Sequence, residues 1–594
     1  MNRVSIKIVG AQGQGVNSVG EMCAKGLKRR GYCVFGDREY MSLIKGGHSS
    51  YQLDISDTQI RSSCSQADAV VSFNHDGIER NLRDLKPGGI LLHQTLQWTF
   101  KNPEDQKFLE ENDIHVLYLP TEEILRKLNA KPILGNVLIT SVVWALLSCF
   151  KEELQELVRE QFGHKKDLLE LNFACIEEGW RYRQEHAEDL TIALPEPDER
   201  WKHQLLLTGS QAMGLGIISA GCRVFASYPM TPASPLMTYL ADVQKESGMV
   251  IKQAEDEITA VQMTVGAMHA GTRAATGTSG GGYDLMTETI SLCGISETPL
   301  VIVLAQRPGP GTGLPTWTAQ GDLLMAVHCG HGEFPRLVMS VSDAEDSFAL
   351  MMEAFNFAEE YQIPVTVLTD KHTAEALYTV FALEQHGAVR RGRLVTDAKG
   401  LSALKSTDRY APTAPDGISA RWLPGSNAPT YCAQGYEHAA DGSFDESAAN
   451  AVAQMHKRMQ KMVTLKKALP PPEFFLLSDD GVARQSDQCS ALDLLLVGWG
   501  STKGAILDAM EEMQNMRIGY LHYTYLWPLR TERLLELAEQ SQKTVLIEGN
   551  QQGQLGMLLQ QECDVQFDQK ILMYDGRSPT VDNIVAALRS SFVQ

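Results

Sequence analysis

The chain has 594 residues, 43% hydrophobic and 21% charged, with a formal net charge of −20. That length is too great for one core and implies roughly three or four domains. The acidic balance speaks against a nucleic-acid partner or an anionic membrane surface, since both require a basic face. From the N-terminus, MNRVSIKIVG has neither the apolar stretch nor the cleavage site of a secretory signal. The strand-like run RVSIKIV leads into GAQGQGVNSVG (Gly10–Gly20), then a helix-like NSVGEMCAKGLKRRG and strand YCVFG. After SYQLDIS come strand DAVVSFN, helix GIERNLRDL and strands GILLHQ and HVLYLP. This βαβ rhythm predicts a parallel sheet covered by helices.

The most apolar stretch, Ile133–Phe150, is short for a membrane span and carries Gly135, Asn136, Thr140 and Ser141, so it reads as a buried core helix. Two charge-rich helical stretches follow (Lys151–Glu160 and Leu168–His186), and AEDLTIALPEPDER reads as a linker. A second α/β unit starts at Gln204, with PLVIVLAQ and IPVTVLTD as buried strands. Beyond it lie an irregular Pro/Gly/Ala-rich stretch (YAPTAPDGISARWLPGSNAPTY) and the helix-like ESAANAVAQMHKRMQKMVTLKKA. The last unit runs from Ala491 through strand LDLLLVGWG, helix KGAILDAMEEM, strand TVLIEGN and helix TVDNIVAALRSSF. The 11 cysteines include no C-x-x-C pair, so neither a zinc site nor an iron–sulfur cluster held by this chain alone is expected. Reduced thiols and a cytoplasmic location are the expectation.

Four segments carry chemistry. In the first, Gly13-x-Gly15 opens a helix, but Ser18 stands where the dinucleotide fingerprint wants its third glycine. Free N–H groups there suit an anion, and a tight turn without ligand is equally consistent. In FASYPMTPASP, Pro232 fits the first turn of a helix and Thr231 its N-cap, beside a positive dipole that suits a carboxylate. A plain structural cap is the alternative. In KQAEDEITAVQMTVGAMHAGTRAATGTSGGG, Glu255, Asp256 and Glu257 lead into a buried helix, where acids are ordinarily dipole partners in solvent. Glu257 lies nearest the apolar run, where desolvation raises a carboxyl pKa and suits it to sharing a proton. The TSGGG run, with Ser279 and Gly280, can approach a ligand by its backbone. Finally VIVLAQRPGPGTGLPT delivers Arg307 at the C-terminal end of a strand, where guanidinium grips a carboxylate or makes a structural ion pair.

Together these residues resemble the α subunit of the 2-oxoacid:ferredoxin oxidoreductases, in the form with a γ domain fused at the N-terminus. Tyr228–Ser234 (YPMTPAS) is similar to the family's YPITPSS motif. Glu257 with GAMHAGTRAATGTSGGG resembles the helix and loop facing thiamine diphosphate, and RPGPGTGLPT with QGDL (Gln320–Leu323) the segment carrying the substrate arginine. REYMSLIKGGHSSYQLDIS (Arg38–Ser56) resembles the fused γ domain; DGISARWLPG and GNQQGQLG (Gly549–Gly556) are also similar to family segments.

The resemblance implies an α/β chain of several doubly wound domains. These are a gamma-like domain over 1–185, a linker over 186–203, a thiamine-diphosphate-binding domain of the pyrimidine type over 204–385, an irregular connecting segment over 386–490 and a transketolase C-terminal-like domain over 491–594. Tyr228, Thr231 and Arg307 would hold the 2-oxoacid, the last two by its carboxylate. Glu257 would hydrogen-bond the aminopyrimidine N1′ of thiamine diphosphate, with Ser279 and Gly280 against the cofactor. Gly13, Gln14 and Gly15 would face coenzyme A phosphates. A β subunit would share the thiamine diphosphate and hold Mg²⁺ and a [4Fe–4S] cluster, and ferredoxin would take the electrons. The implied activity is CoA-dependent oxidative decarboxylation, of 2-oxoglutarate rather than pyruvate. Met230 and Ala233 replace the commoner Ile and Ser of the motif, and Gly311 stands where a Ser is frequent, so the substrate is left open. A non-oxidative thiamine-dependent transferase or decarboxylase and a non-catalytic scaffold paralogue are the alternatives.

Overall fold

A computed structural model of the chain describes residues 3–43, 46–96, 102–162, 166–383, 387–488 and 491–590. Ile44 and Lys45 of the Arg38–Ser56 segment lie outside the described residues. The fold is mixed α/β with three multi-stranded sheets. The chain divides into two compact units, Met1–Leu207 with Ala376–Ala382 and Pro579–Gln594, and Thr208–Glu375 with Leu383–Ser578.

In the first unit, β1 (Arg3–Ala11) runs through α1 (Val16–Arg30) to β2 (Cys33–Tyr40). Val16, Val19, Cys23, Ala24 and Leu27 share one face of α1 and are buried. The last turn carries Lys28, Arg29 and Arg30, which complement the helix dipole, and Gly31 ends the helix at φ 107°. Strands β3 (His48–Ser56), β4 (Ala67–Ser72), β5 (Leu85–His93) and β6 (His115–Tyr118) follow. Strands β6, β5, β4 and β1 form a parallel array.

The parallel sheet expected from the βαβ rhythm forms over these four strands but does not extend through the whole sheet. Strand β3 lies between β1 and β2, antiparallel to both. The sequence alone assigns no element to its polar run HSSYQLDIS, whose polar groups find partners inside the sheet. Gln52 Nε2 donates to Ser5 Oγ at 3.0 Å and to the Cys64 carbonyl at 2.7 Å, and the fully buried Asp54 pairs with Arg3 at 3.3 Å. Burial pushes the Asp54 carboxyl up, and Arg3 opposes that shift. The apolar stretch near residue 140 is the expected core helix, α2 (Gly135–Leu146), in which every residue but Asn136 is buried. Among the described residues no helix is long and apolar enough to cross a membrane.

The second unit holds two sheets. Its elements include, in chain order, β7 (Val224–Ser227), α3 (Ser234–Asp242), β8 (Val250–Gln253), α4 (Glu257–His269), β9 (Ala274–Thr278), α5 (Gly280–Ser296), β10 (Leu300–Gln306), α6 (Leu323–His328), β11 (Leu337–Ser340), β12 (Pro364–Asp370) and α7 (Ala448–Ala468). One sheet has the order Tyr525–Trp527, β11, β12, β10, β9, β7, β8, parallel except for its first strand. Strands β10 and β12 are buried throughout, which is why they read as continuous apolar runs. The other sheet contains β13 (Glu473–Leu477), β14 (Leu494–Trp499), β15 (Ile518–Tyr523) and β16 (Thr544–Glu548). Strand β13 falls in the stretch read as irregular and pairs antiparallel with β15.

Candidate functional site

The C-terminal ends of β7, β8, β9 and β10 lie along one edge of a parallel array, the edge where open α/β sheets bind ligands. Each strand end delivers at least one expected residue. Tyr228 follows β7 and is 38% exposed. Glu257 opens α4 after β8, Ser279 and Gly280 follow β9, and Arg307 follows β10. Ser227 Oγ donates to the Gly277 carbonyl at 2.6 Å and ties the β7 and β9 ends together.

Thr231 is not the expected N-cap. Helix α3 begins at Ser234 with Ala233 as its cap residue, so the second proline of the motif, Pro235, takes the first-turn position. Residues Met230–Ala233 form a turn instead, with Ala233 N and Ser234 N donating to the Met230 carbonyl. Thr231 still meets Arg307: the guanidinium Nη1 donates to the Thr231 carbonyl at 2.8 Å.

Glu257 is 5% exposed although two acids precede it. Asp256 caps α4, accepting from Thr259 N at 2.7 Å, and Glu255 is exposed, so those two serve as ordinary helix-start acids. The Glu257 side chain lies against the glycine run. A Cβ at Gly282 would sit 2.7 Å from Glu257 Oε1 and 2.1 Å from Thr278 Oγ1. The run therefore leaves room for this carboxylate at the start of α5. Ser279 precedes α5, is fully buried, and its hydroxyl has no hydrogen-bond partner. An orphaned hydroxyl is costly to bury and suits a polar ligand atom.

Asp322, not singled out from the sequence, completes the cluster. Its N–H donates to Gln306 Oε1 at 3.0 Å, and a Cβ at Gly280 would lie 2.9 Å from its Oδ2. That oxygen is buried and without a hydrogen-bond partner. Burial, aided by Asp284 and opposed by Arg307, pushes its carboxyl up to about 6. Its one signal was its place in the QGDL segment. The loop from Arg307 to Asp322 is braced by Gln320, whose Nε2 donates to the Trp499 carbonyl at 2.7 Å and whose Oε1 accepts from Gly549 N at 2.6 Å. Asn550 and the buried Glu548 lock the brace from the GNQQGQLG segment.

Thr231, Glu257, Ser279, Gly280 and Arg307 thus come together in one cluster, with Tyr228 at the strand end. A guanidinium, a buried carboxylate and an orphaned hydroxyl on one ligand edge can hold a carboxylated substrate beside a nitrogen heterocycle. The residues present therefore fit the aminopyrimidine of thiamine diphosphate. Among the described residues no group of three or more His, Cys, Asp or Glu is placed to hold a metal.

In the first unit, Gly13, Gln14 and Gly15 border a cavity of about 860 Å³ together with Asn17, Arg38 and Asn136. That volume suits a nucleotide-sized ligand. Gly13 and Gly15 have φ of 89° and 98°, and α1 starts with no side-chain cap and no acid in its first turn. The Gln14 carboxamide oxygen is engaged within the protein, accepting from Ala11 N at 2.7 Å and Asn74 Nδ2 at 3.0 Å.

Residues 215–456 match the family model described as pyruvate flavodoxin/ferredoxin oxidoreductase, thiamine diphosphate-binding, and residues 5–182 that of pyruvate ferredoxin/flavodoxin oxidoreductase. The chain is 29% identical to the 2-oxoacid:ferredoxin oxidoreductase 2, subunit alpha, of Aeropyrum pernix, over 97% of this chain and 95% of that one. It is 30% identical to the 2-oxoglutarate synthase subunit KorA of Methanothermobacter marburgensis, over 58% of this chain and 88% of the other. A solved structure of 2-oxoglutarate:ferredoxin oxidoreductase from Magnetococcus marinus, with 2-oxoglutarate, coenzyme A and succinyl-CoA bound, superposes with a TM-score of 0.89 at 27% identity, covering 99% of both chains.

Proposed function

The chain belongs to the 2-oxoacid:ferredoxin oxidoreductase family, and on that footing we propose that it is the γ-fused α subunit of a CoA-dependent enzyme that oxidatively decarboxylates a 2-oxoacid. The observation that carries this reading is the meeting of Glu257, the glycine run and Arg307 on one sheet edge. Thiamine diphosphate, when bound, supplies the nucleophilic carbon and the electron sink for decarboxylation. Glu257 holds a proton at the aminopyrimidine N1′, in a pocket that keeps its carboxyl out of water. Arg307 grips the substrate carboxylate, and Thr231 and Tyr228 line its place. Ser279 gives its orphaned hydroxyl to the cofactor, and Gly280 lets the backbone come close.

Electrons then leave by single steps, and among the described residues no group of ligands is placed to hold a cluster for them. A β subunit carrying a [4Fe–4S] cluster and the Mg²⁺-bound diphosphate relays them to ferredoxin. The relatives named for 2-oxoglutarate support that substrate over pyruvate. Among the described residues ten cysteines are free thiols, in keeping with a reducing cytoplasm. A substrate panel on the purified complex tests the assignment. The expected result is higher kcat/KM for 2-oxoglutarate than for pyruvate, and the reverse order refutes it.

The cavity at Gly13–Gly15 takes the phosphates of coenzyme A on the uncapped start of α1. Gly15→Ala forces a left-handed φ on alanine and drives its Cβ to 2.0 Å from Asn136 Nδ2. A cost of about 1–2 kcal/mol in loop geometry is expected. Coenzyme A affinity, measured by calorimetry on the complex, should fall roughly 5–30-fold. Unchanged affinity would place coenzyme A elsewhere.

A further inference from the structure

Asp322 stands at the N-cap of α6, yet its carboxyl caps nothing. An aspartate there ordinarily accepts from an N–H of the first turn. Here two neutral amides fix the backbone on both sides of it instead. Its own N–H donates to Gln306 Oε1 at 3.0 Å, the Gly321 carbonyl accepts from Gln554 Nε2 at 2.8 Å, and the Leu324 N–H donates to Gln554 Oε1 at 3.0 Å. The carboxyl is turned onto the start of α5, where a Cβ at Gly280 would come within 2.9 and 3.2 Å of its two oxygens. Glycine is what admits it. A carboxyl held this firmly, with a buried oxygen that bonds to nothing, is set against a group that is not a hydrogen-bond donor of its own surroundings.

The cation nearest in the chain is Arg307, directly after Gln306. Its Nη1 is engaged by the Thr231 carbonyl, and among the described residues no carboxylate is in ion-pair contact with the guanidinium. Asp322 acts on it through space: burial lowers the Arg307 guanidinium and Asp322 raises it, while Arg307 in turn opposes the rise that burial and Asp284 impose on Asp322. Asp284 lies on the second turn of α5, and Glu257 of α4 lies against Gly282 of the same helix. Gln306 and Gln554 carry no charge. A 2-oxoacid that reaches Arg307 sets a second carboxylate beside this one cation. In a partly desolvated pocket one cation does not compensate two anions. The substrate, a stronger acid than an ordinary carboxyl, keeps its charge, so the fixed carboxyl is the one that takes a proton. On the footing of the function proposed above, we propose that Asp322 is the resident counter-ion of Arg307, displaced by the substrate carboxylate, so that binding of a 2-oxoacid takes up a proton at Asp322. It is a positioning residue: it compensates the guanidinium in the empty site and withdraws its charge when substrate arrives.

Proton uptake fixes the direction of the pH dependence. Below about 6 the carboxyl already holds its proton; above it the proton must come from solvent, so the 2-oxoacid KM rises, by at most about tenfold per pH unit. Steady-state kinetics of the assembled enzyme from about pH 5.5 to about pH 8, with 2-oxoglutarate as the probe substrate, test this. Wild-type KM should climb across that range. D322N, whose amide is uncharged throughout, should show a flat KM and bind 2-oxoglutarate roughly 5–10-fold tighter than wild type at about pH 8. A residue that only braced the loop would give the opposite sign, a higher KM at every pH. D322S removes the charge with a different shape and should show the same flat profile. Parallel KM profiles in wild type and both variants overturn the proposal, as does a KM above wild type throughout in both. A wild-type complex that turns over no 2-oxoacid would instead strike the reading on which this rests, and the inference with it.

Discussion

Glu257→Gln should lower kcat of the assembled enzyme by about 10²–10⁴-fold, with the 2-oxoacid KM and the melting temperature close to wild type. The amide is nearly isosteric, so the fit against Gly282 and Thr278 survives, while the carboxylate proposed to hold a proton at the aminopyrimidine N1′ is lost. Steady-state kinetics with saturating thiamine diphosphate separate this from weaker cofactor binding. Activity within about tenfold of wild type would reduce Glu257 to a buried helix-start acid.

Arg307→Ala is the second large effect. A charge-assisted contact to the substrate carboxylate is worth about 1.5–3 kcal/mol, so kcat/KM should fall roughly 10–150-fold, mainly through KM. Arg307→Lys should recover only part of it, because an ammonium cannot grip in two places. The same guanidinium also braces the Thr231 carbonyl at 2.8 Å. An unchanged KM with a lowered melting temperature would show that bracing is all it does.

Strands with continuous apolar sequence, such as PLVIVLAQ, were legible because both faces of a parallel strand are buried. Strand β3 was not, because Gln52 and Asp54 look like loop residues until Ser5, Cys64 and Arg3 are brought beside them. The positions of Glu257 at a helix start and of Arg307 after a strand were legible since each closes or follows a recognisable run. Thr231 was assigned the wrong local role because two prolines three residues apart both fit a helix start, and only packing selects Pro235. Asp322 carried no signal of its own: its place depends on a loop returned to Gly280 by Gln320, which bonds to Gly549, 229 residues away. The same holds for α7. Its charges are visible in the chain, but which side faces inward is decided by Glu297, 160 residues before Lys457, and by Glu437 just ahead of the helix.

The central claim is that this chain supplies the carboxylate and the guanidinium for an oxidative, CoA-dependent cleavage of a 2-oxoacid. The most direct measurement counts products on the complex of this chain with the proposed β subunit, given 2-oxoglutarate, coenzyme A and a one-electron acceptor. The expected result is one CO₂ and one acyl-CoA for every two electrons delivered, with no turnover when the partner subunit is omitted. CO₂ released with neither electrons delivered nor acyl-CoA formed would contradict it and leave a non-oxidative decarboxylase in its place.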